Sequence, residues 1–300
     1  MSNRLLVALQ QRILLGDGAM GTQLQMAGLE PGGCGEAWNV DHPERVLEIQ
    51  RRYVEAGSDC LITNTFGGCR IMLERHHNGE RVAEINTAGV RIAREAFRER
   101  QGFVLGDIGP FGGIMEPYGE ISEERVRAAF DEQAYSLVKA GADAIILETQ
   151  TSYEEMGVGI EAAKAAGCTC VIGSMAYDVT LDRSEIRTMM GISPEEAAQF
   201  MADKGADILA VNCGAGIDIR WATLAVEAYR RVSDLPTMAQ PNAGTPELIN
   251  MQVVYRQTPE QMAQGLPELV RAGASIVGGC CGSTPDHIRL FRKILDGLSH

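Results

Sequence analysis

Basic residues are in short supply in this sequence. Its 300 residues carry 27 Lys and Arg against 40 Asp and Glu, a formal net charge of −13. A surface that acidic repels phosphate backbones and anionic lipid, so partners of both kinds are excluded: no nucleic acid and no membrane. The opening stretch, "MSNRLLVALQQRILLGDG", is broken by Arg4, Gln10, Gln11 and Arg12. It is therefore neither a signal peptide nor a membrane span, and it reads as an amphipathic first helix. Runs of Pro, Ser or Gln that would mark a linker are missing, as are charge blocks that would mark a tail. Nothing divides the chain, and residues 1–300 are expected to form one domain.

What is present is a repeat of short apolar runs, each followed by a helical pattern. The runs are "RILLGDG", "DCLITNTFGG", "GFVLGDIGP", "DAIILETQ", "CTCVIGSMAYD", "DILAVNCGAG", "LPTMAQPNAG" and "SIVGGCCG". Unbroken Leu/Ile/Val stretches, rather than strict alternation, are what parallel strands buried on both faces show. Between them lie segments such as "SEERVRAAFDEQAYSLVKAG" and "SPEEAAQFMADKG", which open on a helix-start Ser and close on a Gly C-cap. The joins "EAGSDCLIT", "KAGADAIIL", "DKGADILAV" and "RAGASIVGG" repeat one helix–Gly–strand connection. Eight such units in this length predict an α/β fold, a (β/α)8 TIM barrel. An open doubly wound sheet is the competitor, because periodicity does not reveal closure.

In a barrel, chemistry gathers at the C-terminal strand ends. Those ends are Asp17, Asn64, Asp107, Glu148, Cys213, Asn242, Cys280 and Cys281. The eight cysteines show no framework spacing, and with no export signal the chain is expected to be cytoplasmic with reduced thiols. Cys34, Cys60, Cys69, Cys168 and Cys170 read as small buried apolar residues. Cys213, Cys280 and Cys281 differ, because strands six and eight are separated only by strand seven. Three thiolates with a fourth position open describe a catalytic zinc site, and none of the histidines falls at a strand end to join them. A three-thiolate zinc is a poor activator of water but binds and deprotonates a thiol, so thiol alkylation is the expected reaction class.

The motifs "LLGDGAMGTQLQ", "AGSDCLITNTFGG", "VNCG", "PNAG" and "GGCCGSTPDHI" together resemble the homocysteine S-methyltransferase family over residues 10–295. The resemblance implies a transferase of methionine biosynthesis, moving a methyl group to the thiol of homocysteine. It assigns Zn2+ to Cys213, Cys280 and Cys281. It further implies that Asp17 and Glu148 grip the substrate's amino group, and that the backbone amides of Ala19, Met20, Gly21 and Thr22 hold its carboxylate. Asn242 resembles a residue near or on zinc when substrate is absent.

Departures from the family patterns bear on the methyl donor. Betaine-using members carry Tyr where this chain has Gly67 and Thr149, and S-methylmethionine-using members tend to carry Arg where it has Gly282. "GGCCGSTPDHI" and "NTFGG" look most like the homocysteine module of cobalamin-dependent methionine synthase. A methyl-corrinoid donor is therefore expected, free as methylcobalamin or on a separate partner protein, since the corrinoid and folate modules of that enzyme are not found in this sequence. Betaine, S-methylmethionine or another small onium donor is the alternative, with a cage built from Trp38, Phe111, Tyr118, Tyr153 and Tyr177. A corrinoid-protein docking barrel with a structural zinc is the non-enzymatic alternative.

Overall fold

The computed structural model describes residues 3–249 and 252–298. Eight strands form one sheet: β1 (Leu14–Leu15), β2 (Cys60–Ile62), β3 (Phe103–Ile108), β4 (Ala144–Gln150), β5 (Val171–Met175), β6 (Ile208–Asn212), β7 (Thr237–Gln240) and β8 (Ala274–Val277). Their spatial order is β1-β8-β7-β6-β5-β4-β3-β2, and every neighbouring pair is parallel. The sheet thus runs round to bring its first and second strands together, a nearly closed barrel rather than an open doubly wound sheet.

The β1–β2 seam is sewn largely by side chains. Asp59 N–H donates to Leu15 C=O at 2.7 Å, and Ser58 Oγ to Gly16 C=O at 3.0 Å. Higher up, Ile62 N–H donates to Asp17 Oδ2 at 2.8 Å, a carboxylate standing where a strand carbonyl would be. Buried backbone donors must be paired, and this one is paired by a residue at the barrel mouth.

The barrel interior is filled by inward-facing Leu14, Leu105, Ile146, Ile172, Ala210, Met238 and Ile276. Leu5, on a short helix Arg4–Leu9 capped by Asn3, closes the lower end. That helix is shorter than the opening stretch suggests, because the chain must turn at residues 10–13 to enter β1. Cys60 and Cys170 belong to this interior cluster, and Cys69 to the shell between strands and helices.

The repeated joins have one physical form. Gly57, Gly141, Gly205 and Gly273 all take left-handed φ, at 111°, 96°, 88° and 114°, where a Cβ is penalised. Three of the four joins then place an Asp just before the strand. Asp59, Asp143 and Asp207 each accept the backbone N–H of the neighbouring strand, from Leu15, Val104 and Val171, at 2.8–2.9 Å. The helix signals hold as well. Ser122 caps Glu123–Lys139, and Ser193 with Glu196 forms a capping box on Pro194–Lys204. Two antiparallel ribbons rise beyond the barrel, Asp178–Val179 with Ile186–Arg187 and Glu247–Ile249 with Gln252–Val254. Among the described residues no helix is long and apolar enough to cross a membrane.

Candidate functional site

Cys213 follows β6 directly, and Cys280 and Cys281 lie just beyond β8. The Sγ atoms of Cys213 and Cys281 are 3.8 Å apart, those of Cys280 and Cys281 3.9 Å, and all three fall within 4.8 Å of one another. Zinc–sulfur bonds of about 2.3 Å at tetrahedral angles require sulfurs about 3.8 Å apart. The trio therefore fits one tetrahedral ion with a fourth position left over.

The backbone explains how the sulfurs meet. Cys213 takes φ 53° and Gly214 φ 88°, a left-handed turn that is unfavourable for a cysteine and typical of functional sites. The Cys pair is fastened to the strand ends on both sides of it, β1 and β7. Gly279 N–H donates to Asp17 C=O at 2.9 Å, Cys280 N–H to Pro241 C=O at 2.8 Å, and Ala243 N–H to Cys281 C=O at 2.9 Å. A Cβ on Gly279 would lie 2.4 Å from Ser283 Oγ, so the turn tolerates no larger residue there. Hydrogen bonds from Cys213 and Cys280 pull the Cys281 thiol well below its ordinary value, against burial.

The cavity of about 380 Å³ that the cysteines line also holds four carboxyl groups, the strand-end acids Asp17, Asp107 and Glu148 and, from a loop, Glu36. Burial pushes Asp17 well above the usual carboxylate range, with the Ile62 N–H pulling the other way and Glu148 adding to the rise. Glu148 is pushed up to about 7 by burial, eased by a hydrogen bond from Asp107 and raised further by Cys281. Crowded acids of this kind are relieved by a cation placed among them. Glu148 is aimed by its neighbour: Thr149 takes φ 60° and is held on both sides by Asn212, whose Oδ1 accepts from Thr149 N–H at 3.1 Å and whose Nδ2 donates to Thr149 Oγ1 at 2.7 Å.

The turn after β1 leads into the helix Met20–Met26, which has no side-chain cap. The first amides of a helix lack internal acceptors, and Met20, Gly21 and Thr22 line the cavity. Ala19 is different. Its N–H is taken by Ser283 Oγ at 3.1 Å, its C=O by Tyr53 Oη at 2.8 Å, and Ser283 Oγ itself donates to Cys280 C=O at 2.7 Å. Ala19 thus couples the helix start to the cysteine loop. Asn242 is buried beside the cysteine loops rather than lining the cavity. Its Nδ2 donates to Gly214 C=O at 3.0 Å, and its Oδ1 is buried without a partner.

Several residues of the site carry little signal in the sequence. Asp107 reads only as one strand end among eight. Asn212 and Ser283 act through neighbours, and Glu36 comes from an irregular loop. Glu36 also changes the meaning of Gly67. Glu36 Oε1 accepts Gly67 N–H at 2.8 Å and would lie 2.9 Å from a Cβ built there. A carboxylate therefore stands where a side chain on Gly67 would begin. The aromatic cage of the alternative donor reading is not assembled at this cavity, since none of Trp38, Phe111, Tyr118, Tyr153 and Tyr177 lines it. Tyr177 is bonded to Tyr229, Tyr153 packs on Phe200, and Trp38 packs on His42. Phe66 is the ring that does reach the cavity, and it is 37% exposed.

A family model described as homocysteine S-methyltransferase matches residues 14–295. Among curated proteins, the methionine synthases of Mycobacterium leprae and Mycobacterium tuberculosis are each 32% identical over 95% of this chain. The chain spans only 24% and 25% of their lengths. Among solved structures, the metallated form of the homocysteine methyltransferase MmuM from Escherichia coli superimposes with a TM-score of 0.78 at 26% identity, covering 97% of this chain and 99% of that one.

Proposed function

This chain belongs to the homocysteine S-methyltransferase family, and from that premise we propose that it methylates homocysteine to methionine at a zinc ion held by Cys213, Cys280 and Cys281. The observation that carries this reading is the sulfur geometry, with edges of 3.8 and 3.9 Å matching one tetrahedral ion. Bound there, zinc supplies the means to hold a substrate thiol as a nucleophilic thiolate near neutral pH. Asp17 and Glu148 bind the ammonium group, each gaining the counter-charge that its buried carboxyl lacks. The amides of Met20, Gly21 and Thr22 receive the carboxylate at the uncapped helix start. The amide of Ala19 is spoken for by Ser283, so its part is to hold that helix start against the cysteine loop. The unpartnered Oδ1 of Asn242 suits a group that approaches the ion when no thiol is present. In the reaction a carbon–sulfur bond forms, the donor's bond to the methyl carbon breaks with its electron pair leaving on the donor, and the thiol proton is lost.

For the donor we favour a methyl-corrinoid, free or on a partner protein. The support is the 32% identity to two methionine synthases along 95% of the chain, together with the want of an aromatic cage. A second reading, a small onium donor, draws on Phe66 and Glu36, a ring and a carboxylate lining the same cavity. The deciding experiment supplies homocysteine with methylcobalamin, betaine, S-methylmethionine and methylfolate in parallel and measures methionine. Transfer from methylcobalamin, faster from a methyl-corrinoid protein, is expected. Efficient turnover with betaine and none with a methyl-corrinoid would overturn the donor while leaving the zinc–thiolate reading in place. No turnover with any donor, alongside a zinc content insensitive to homocysteine, would favour a docking barrel with a structural ion.

A further inference from the structure

Asp107 is the carboxyl group for which neither metal binding nor substrate binding yet has a use. It lies in β3, 2% exposed, and lines the same cavity as Asp17 and Glu148. Its main chain is clamped from three directions. Its N–H donates to Thr63 Oγ1 at 2.9 Å, and its C=O accepts from Thr65 Oγ1 at 2.8 Å and from Gln133 Nε2 at 3.0 Å. Gln133 is anchored in turn on Thr65 C=O and on Asn86. Buried polar side chains arranged this way hold one strand residue to a fixed place, as a binding group requires.

The side chain is where the bonding is incomplete. Oδ1 of Asp107 is buried and has no partner, which in a folded interior is a cost to be explained. Burial, then the charge of Glu148 and a hydrogen bond to it, push Asp107 well above the usual carboxylate range. The same hydrogen bond pulls Glu148 downward. Acids crowded into one buried cavity cannot all ionise freely, and a proton shared between two of them relieves the charge.

We propose that Asp107 is a positioning residue whose carboxyl donates a hydrogen bond to Glu148 and thereby aims the Glu148 carboxylate at the amino group of the substrate. The proposal rests on the homocysteine reading above. Asp107 acts through Glu148, and the Thr63–Thr65–Gln133 clamp exists to fix that donor. Glu148 is then oriented from both ends, by Asp107 at its carboxylate and by the Asn212-held turn of Thr149 at its backbone.

The test uses zinc-loaded protein and calorimetric binding of homocysteine and of 4-mercaptobutanoate, the same thiol without its amino group. Asp107→Ala should weaken homocysteine about tenfold and leave 4-mercaptobutanoate unchanged, the scale of one hydrogen bond to a charged group. Asp107→Asn, whose amide N–H can replace the donor, should stay close to the unmutated protein. Added to Glu148→Gln, Asp107→Ala should weaken homocysteine little further. The idea is overturned if Asn is as harmful as Ala, or if Ala adds its full loss to Glu148→Gln. Should Asp107→Ala fail to fold, the infrared C=O band of a protonated carboxyl decides. Its presence at neutral pH and loss in Asp107→Asn support the proposal; no such band in the unmutated protein overturns it. Failure of the unmutated protein to bind homocysteine would sink the functional reading instead, and the infrared result on Asp107 would stand apart from it.

Discussion

The two ends of this barrel use the same residue types for opposite purposes. At the lower end Asp59, Asp143 and Asp207 each hold a neighbouring strand's N–H, and Asp59 and Asp143 also meet arginines, Arg12 and Arg292 for the first and Arg94 for the second. Every one of those carboxylates has a donor. At the mouth Asp17, Asp107 and Glu148 crowd one cavity, and no ion pair with an arginine or lysine is recorded for them among the described residues. The cysteines divide in the same way: Cys60 and Cys170 pack among Leu and Ile, whereas Cys213, Cys280 and Cys281 face one another. The lower end satisfies its polar groups and so contributes stability. The mouth, among the described residues, pairs none of these carboxyl groups with a basic side chain and leaves Asp107 Oδ1 without a partner, which gives a cationic ligand a place to bind.

The largest effect should come from breaking the sulfur set. Cys213→Ala, Cys280→Ala and Cys281→Ala should each lose most of the zinc, measured as metal per chain after purification, and with it methyl transfer. Cys60→Ala and Cys170→Ala should keep full metal and lose only packing, on the order of 1 kcal/mol in denaturant unfolding. Full metal in any of the first three would remove that residue from the site. Metal loss in either of the last two would show that the ends are not independent.

A smaller effect tests the carboxylates. Asp17→Asn or Glu148→Gln should weaken homocysteine by about 1.5–3 kcal/mol, the range for hydrogen bonds to charged groups, with zinc content preserved. A thiol lacking the amino group should be indifferent to both. Asp143→Ala should do the reverse. It strands the N–H of Val104, so unfolding free energy should fall by about 1–3 kcal/mol while homocysteine affinity holds. Equal damage to the amino-free thiol would end the ammonium assignment.

How much of this was legible depends on what kind of constraint each residue obeys. The barrel was readable because its determinants are local and repeated: a buried apolar run, a helix cap, a Gly that must take left-handed φ. The three zinc-site cysteines were readable because thiols at strand ends one strand apart have few other uses. Glu36 was not, because its position follows from the path of an irregular loop and from Gly67's amide, neither of which leaves a period in the sequence. Asp107 was visible as a strand end, but its pairing with Glu148 is a matter of side-chain contact across two strands. Ser283 and Asn212 were hidden for a similar reason: a Ser or Asn beside a motif is uninformative until its hydrogen bond is seen. The setting of Gly67 was hidden in the same way, since an absent side chain says nothing about what neighbour fills the space.

The smallest expected effect separates two glycines that look alike by space alone. A Cβ built on Gly21 at the mouth or on Gly141 at the lower end meets no atom within 4 Å. Their backbones differ, however. Gly141 takes φ 96°, whereas Gly21 lies inside the helix Met20–Met26 and is not among the left-handed residues. Gly141→Ala should therefore destabilise by about 1–2 kcal/mol, the cost of a left-handed backbone for a residue with a Cβ. Gly21→Ala should stabilise by about 0.4–1 kcal/mol, because the helical conformation suits alanine and the unfolded chain loses freedom. Chemical denaturation of both variants decides it. A loss at Gly21 would mean that the turn into this helix needs glycine for its backbone, and that the mouth's strain extends beyond Cys213 and Thr149. A gain there with zinc content unchanged would confine the strain to those two residues, where the sulfur and the carboxylate are aimed.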